Sequence, residues 1–157
     1  MNMKYELKPL QGSDHLVVRE VYEDAIKHQI EGCYTQEQIQ AWASLAWLPG
    51  VLDRSLLEGK GWISLENQQV EAFAVRYPLT RLALLYCRGR SAGRGHATAL
   101  LDRVESEACE EGQAFLVTEA SLFSYSLLSQ RGWMLIAPET MQIGGVNFER
   151  FRMQKFF

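Results

Sequence analysis

The chain has 157 residues, a formal net charge of −3, 47% hydrophobic residues and 22% charged residues. That size fits one domain, residues 1–157, with a core large enough to need no covalent staples. The balance excludes a disordered chain and argues against a protein built to coat nucleic acid. Cys33, Cys87 and Cys109 are scattered with no CxxC, so neither a disulfide framework nor a zinc ribbon is expected. No apolar run could serve as a signal peptide or approach the ~20 residues of a membrane span, so the expectation is a cytoplasmic protein with no membrane partner.

The predicted elements run as follows. Residues 4–9 (KYELKP) alternate and stop at Pro9, a first strand. Ser13 or Asp14 caps a helix with Val17, Val21, Ala25 and Ile26 on one face, ended by Gly32. Thr35 and Gln38 form a capping box for a second helix carrying Ile39, Trp42, Ala43 and Ala46. Trp62–Leu65 and Val70–Tyr77 flank the polar turn ENQQ, a hairpin. Leu82–Cys87 and Ala114–Thr118 are apolar throughout and read as strands buried on both faces. Between them, His96–Glu111 is an amphipathic helix with Ala97, Leu100, Leu101, Val104 and Ala108 on one side. A short helix near Ser124–Gln130 and two strands, Trp133–Ala137 and Val146–Lys155, complete the chain. The apolar phase changes between Phe148 and Phe151, which predicts a bulge or irregular pairing there. The fold class is α/β, an α+β mixed sheet.

The segment richest in chemistry is Tyr86–Leu101, YCRGRSAGRGHATALL. It runs strand, glycine-bearing loop, helix. Gly93 and Gly95 let backbone approach a ligand, and the first N–H groups of a helix have no internal partners. With the helix dipole these make an anion site, for which phosphate is the usual occupant. Arg88, Arg90 and Arg94 add a local +3 against the global −3. Three phosphate-loop patterns compete. A Walker loop is excluded because no Gly-Lys-Ser/Thr occurs. A dinucleotide loop fits poorly, since Thr98 stands where its third glycine would be. An acyl-CoA loop, [Q/R]-x-x-G-x-[G/A], is the third.

On Ala92-Gly93-Arg94-Gly95-His96-Ala97 the sequence resembles the GNAT superfamily of N-acetyltransferases. Gly95 and Ala97 match its motif, while Ala92 departs from the usual Gln or Arg, a side chain that Arg90 could supply. Leu85-Tyr86-Cys87, Glu119-Ala120-Ser121 and Ser129–Trp133 are similar to further family segments, although Arg88-Gly89-Arg90 replaces the usual bend. Tyr34–Trp42 and the tail Gly145–Lys155 resemble a YafP-like branch.

The resemblance implies a GNAT-like acyl-CoA acyltransferase fold of six or seven strands and about four helices, with two central strands parted around acetyl-CoA as cosubstrate. It implies cofactor contacts at Leu85, Tyr86, Cys87, Arg90, Gly93, Arg94, Gly95, His96, Ala97 and Thr98, and no metal. The implied activity is direct transfer of acetyl, within a ternary complex, to an amine of a small molecule or peptide. Glu119 is the first candidate base and Glu71 the second. The family's acid tyrosine falls on Leu128, which cannot donate a proton, so Tyr125, one turn earlier, is the substitute candidate. Cys87 reads as a buried thiol rather than a nucleophile. Glu31–Tyr34 with Trp42 and Trp47 would line the acceptor pocket, Tyr34 and Trp42 foremost. A homodimer is the candidate assembly. The alternatives are a non-catalytic acyl-CoA-binding module of the same fold and an unrelated phosphate binder.

Overall fold

The computed structural model describes residues 5–28 and 32–157. Its strands are β1 (Glu6–Pro9), β2 (Lys60–Glu66), β3 (Gln69–Arg76), β4 (Leu82–Cys87), β5 (Phe115–Ala120), β6 (Met134–Ile143) and β7 (Val146–Phe156). The helices are α1 (His15–Lys27), α2 (Gln36–Ala43), α3 (Asp53–Glu58), α4 (His96–Glu110) and α5 (Leu122–Gln130). Two capping boxes fix helix starts, Thr35 with Gln38 for α2 and Ser121 with Ser124 for α5. Asn67 and Gln68 both take positive φ, 53° and 66°, which gives the β2–β3 hairpin the twist its strands need.

The strands form two antiparallel sheets, ordered β1-β2-β3-β4 and β5-β7-β6. They meet at one place. Arg81 and Val117 form a single parallel bridge, Val117 N–H donates to the Thr80 carbonyl at 2.8 Å, and Thr118 Oγ1 donates to the Leu82 carbonyl at 2.7 Å. Beyond that point no ladder joins β4 to β5, and the strands part.

β3 is the strand buried on both faces, from Glu71 to Arg76. Phe73 and Val75 point into a core with Val18, Val21 and Ile26 of α1. Ala72 and Ala74 point the other way, toward Leu100, Leu101, Val104 and Ala108 of α4. Alanine on that face lets α4 lie close to the sheet. Truncating one of the fully buried leucines of α4 to Ala is expected to cost about 2–5 kcal/mol.

Several sequence expectations change. β4 packs on both faces, with Leu82 in the core beside α4 and Leu84 in the core beside α1, but β5 buries only alternate residues, on one face. Glu119, on the other face of β5, lines the cleft instead. α1 stops at Lys27 rather than at Gly32, and α3 was not visible because six residues carry too little periodicity. Lys4 of the expected first strand lies outside the described residues. The bulge expected in the last strand is absent: β7 is regular there, and the register shift sits in β6 between Leu135 and Ala137. Phe148 and Phe151 change phase because they serve opposite faces, Phe148 beside Trp42 and Phe151 beside Tyr125.

One buried charge needs special support. Arg76 is fully buried, and its Nη2 donates to Glu107 at 2.8 Å and Glu111 at 2.6 Å, both on or just after α4. The Arg76 hydrogen bond, with help from Lys60, holds the Glu111 carboxyl down at about 2, against burial, which acts upward. A folded-state pKa below the ordinary 4.5 gives stability that is complete above pH 4.5 and is lost as pH falls through 2. Urea denaturation of Glu111→Gln should therefore show a loss at pH 7 that shrinks toward zero near pH 2, where the parent has lost the same interaction.

Candidate active site

The split between β4 and β5 opens into a cleft of about 400 Å³. The loop at Ser91–Thr98 lines one part, and β4 residues Leu85, Tyr86 and Cys87 line its wall. Glu119 and Thr118 of β5, Phe123 and Leu128 of α5, and Trp42 of α2 line the remainder. The expected cofactor contacts Leu85, Tyr86, Cys87, Gly93, Gly95, His96, Ala97 and Thr98 thus share one cavity with Glu119 and Trp42.

The loop is built for close backbone approach. Gly93 and Gly95 have φ of 75° and 97°, values that favour glycine. A Cβ on Gly95 would also meet the Tyr5 hydroxyl, so a side chain there would displace that ring from the loop. The N–H groups of Gly93, Gly95, Ala97 and Thr98 have no protein acceptor among the described residues, whereas Ala99 N–H already bonds the Gly95 carbonyl. These donors sit at the positive end of α4 and fit an anionic group such as a diphosphate.

The arginines behave differently from the sequence expectation. Arg90 is not directed at a ligand: its Nε and Nη2 donate to the two oxygens of Glu71 at 2.8 and 2.5 Å. Arg94 pairs with Glu66 at 2.8 Å, and Arg88 Nε donates to the Val70 carbonyl. The loop contains no acid, but the β2–β3 hairpin brings two to it. Asp24 of α1 accepts from Gly89 N–H at 2.8 Å, and Tyr5 donates to the Arg94 carbonyl. Sequence reading missed these anchors, because each comes from a distant element and only the hairpin register would have placed Glu66 and Glu71 beside the arginines.

Glu71 is 3% exposed and locked by Arg90 and Ser91, with the Arg90 hydrogen bond holding its carboxyl below the ordinary range. A carboxylate so held is a poor base, which corrects its place as second candidate. His96 is buried, with Nδ1 2.7 Å from Ser64 Oγ. Glu119 faces the cleft, and its Oε2 accepts from Arg81 Nε at 2.9 Å.

Two other placements, those of Tyr125 and Trp47, differ from expectation. Tyr125 does not line the cleft; its ring packs on Phe151, with centroids 4.8 Å apart. Leu128 lines the cleft in its stead, 2% exposed. Trp47 is half exposed and donates to Glu23 at 2.6 Å, away from the cleft. Glu31 lies outside the described residues. Tyr34 stacks edge-on against Trp42 at 5.3 Å and accepts from Leu122 N–H, which ties the start of α2 to α5. Trp42 itself lines the cleft, beside Tyr86, whose phenol burial pushes up to about 12.

No protein-family model matches the sequence, and no curated protein matches it. Solved structures do. A GCN5-related N-acetyltransferase from Rhodopseudomonas palustris superimposes with a TM-score of 0.93 at 24% identity, covering 100% of this chain and 98% of that one. The PaiA N-acetyltransferase of Thermoplasma acidophilum, in complex with coenzyme A, gives 0.70 at 18%, covering 99% and 100%. YncA from Salmonella typhimurium, with its cofactor acetyl-CoA, gives 0.67 at 19%, covering 98% and 94%. The chain therefore has the fold of the GNAT acetyltransferases. The YafP-like placement rests on the sequence motifs alone.

Cys87 lies in the cleft wall, and burial, followed by Glu71, Asp24 and Glu66, pushes its thiol up to about 11. Only a trace is thiolate at neutral pH. Labelling with iodoacetamide at pH 7.5, read by peptide mass, should modify exposed Cys109 readily and Cys87 only after unfolding.

Proposed function

We propose that the protein is an acetyl-CoA-dependent N-acetyltransferase that acts on an amine of a small molecule or peptide within a ternary complex. The observation that carries this reading is one continuous cleft joining unpartnered loop amides to a carboxylate and an aromatic wall. The fold supports it, since relatives in shape are named acetyltransferases and two hold coenzyme A or acetyl-CoA.

The amides of Gly93, Gly95, Ala97 and Thr98 would hold the diphosphate, and β4 would hold the pantetheine arm by its free edge. When bound, acetyl-CoA supplies an acetyl group already activated as a thioester. Arg88 N–H bonds the Glu71 carbonyl on β3, so strand alternation turns Cys87 N–H to the opposite edge, toward the split. There it is a donor for charge developing on a carbonyl oxygen, a contribution of about 3–4 kcal/mol.

The acceptor must lose a proton. An amine of pKa ~10.4 is neutral in roughly one molecule in 2,500 at pH 7. Glu119 is the base in this reading, directly or through a water. Arg81 fixes one of its oxygens and so orients the other. Tyr125 takes no part, because it does not reach the cleft. A side-chain acid is dispensable where the departing group is a thiol, whose pKa is about 8.5.

Leu128 favours a second reading, a non-catalytic acyl-CoA-binding module, because the side chain at that point of the cleft wall has no proton to donate. Calorimetry with acetyl-CoA and thiol release with a panel of amines separate the two. The enzyme reading expects binding, amine-dependent thiol release, and a loss of about 10²-fold or more in kcat for Glu119→Gln with little change in acetyl-CoA affinity. Binding without release for any amine would support the module.

A further inference from the structure

We infer that Glu71 is a positioning residue for the diphosphate loop, acting on the ligand only through Arg90, Ser91 and the backbone they fix. The inference rests on the acetyl-CoA reading above and deepens it. Glu71 sits on β3, the most buried strand, and is 3% exposed. One oxygen accepts from Arg90 Nε at 2.8 Å and from Ser91 Oγ at 2.5 Å; the other accepts from Arg90 Nη2 at 2.5 Å. Its carbonyl also accepts Arg88 N–H at 2.8 Å. Three points of contact within four residues, at 88, 90 and 91, are thus held by one residue across the sheet.

Ser91 is the last of these before the donors begin. It is buried, it lines the cleft, and its carbonyl accepts Arg94 N–H at 3.3 Å. Its position sets where Gly93 and Gly95 turn and where the four amides point. Hydrogen bonds from a guanidinium fork and a hydroxyl to a buried carboxylate are charge-assisted, about twice as strong as neutral ones, and the paired geometry fixes direction as well. Glutamine at the same place cannot accept from both guanidinium nitrogens with charge and would relax the turn.

Charge counting and positioning predict opposite signs. If the arginines bound the diphosphate as a positive patch, removing the Glu71 charge would free Arg90 and tighten coenzyme A binding. If Glu71 positions the amides, removing it weakens binding.

The test measures the coenzyme A Kd by calorimetry, steady-state kinetics with acetyl-CoA, and kcat/KM with S-acetylpantetheine, a donor without the diphosphate. Glu71→Gln should raise the Kd and the acetyl-CoA KM about tenfold or more. The kcat at saturation should stay within about twofold, S-acetylpantetheine should react as with the parent, and Glu71→Asp should recover part of the loss. Tighter or unchanged coenzyme A binding overturns the inference, as do equal losses with both donors, which would mark a merely structural role. Should Glu71→Gln fail to fold, Ser91→Ala decides: a smaller, donor-selective rise in Kd supports positioning, and no change overturns it. A parent protein that binds no coenzyme A refutes the underlying reading instead.

Discussion

The arrangement depends on how the loop ahead of α4 handles its own charge. Three arginines fall within seven residues, and on their own they would repel one another and wander. Glu66, the last residue of β2, and Glu71, the third of β3, take Arg94 and Arg90 out of circulation. With Asp24 and Tyr5 they clamp the loop from both faces of the sheet. What remains for an anion is the row of main-chain donors at the start of α4. Fixed amides lose little entropy on binding, whereas long arginine side chains would lose much more. The site is therefore a shaped, preorganised one rather than a diffuse positive field.

The second requirement is the parting of β4 from β5. One parallel bridge and the Thr118–Leu82 hydrogen bond pin the strands at their entry, and past it each follows its own sheet. The two cores make this tolerable. β3 feeds both, with aromatic and branched side chains toward α1 and alanines toward α4, so the halves stay joined although the ladder is interrupted. The unpaired strand edges would be costly if buried dry. They border a cleft instead of a dry core.

Much of this was legible in the chain. Local rules placed the cap at Thr35, the amphipathic face of α4, and the glycines at 93 and 95, because each depends on residues a few positions apart, whereas the cap at Ser121 went unread and the last helix was begun at Ser124. The choice of strands was also legible, and so was the two-sided burial of LALLYC, but that of AFLVT was not. An apolar run looks the same whether a strand is covered on both sides or turns one face toward an open cleft. The last strand misled for a related reason: a shift of apolar phase between Phe148 and Phe151 is a bulge for one core and plain alternation for two. The loop's counter-charges were invisible, because Glu66 and Glu71 meet Arg94 and Arg90 only through hairpin register. Tyr125 was misplaced by a helical-face argument, since sharing a side with Leu128 did not carry its ring into the cleft.

The central claim is that main-chain amides, and not the arginine side chains, receive the diphosphate. Titration of the 15N-labelled protein with coenzyme A tests it directly. The backbone signals of Gly93, Gly95, Ala97 and Thr98 should shift strongly while the Nε signals of Arg90 and Arg94 stay near their starting positions. Large shifts at those two arginines, with the four amides unmoved, would contradict it.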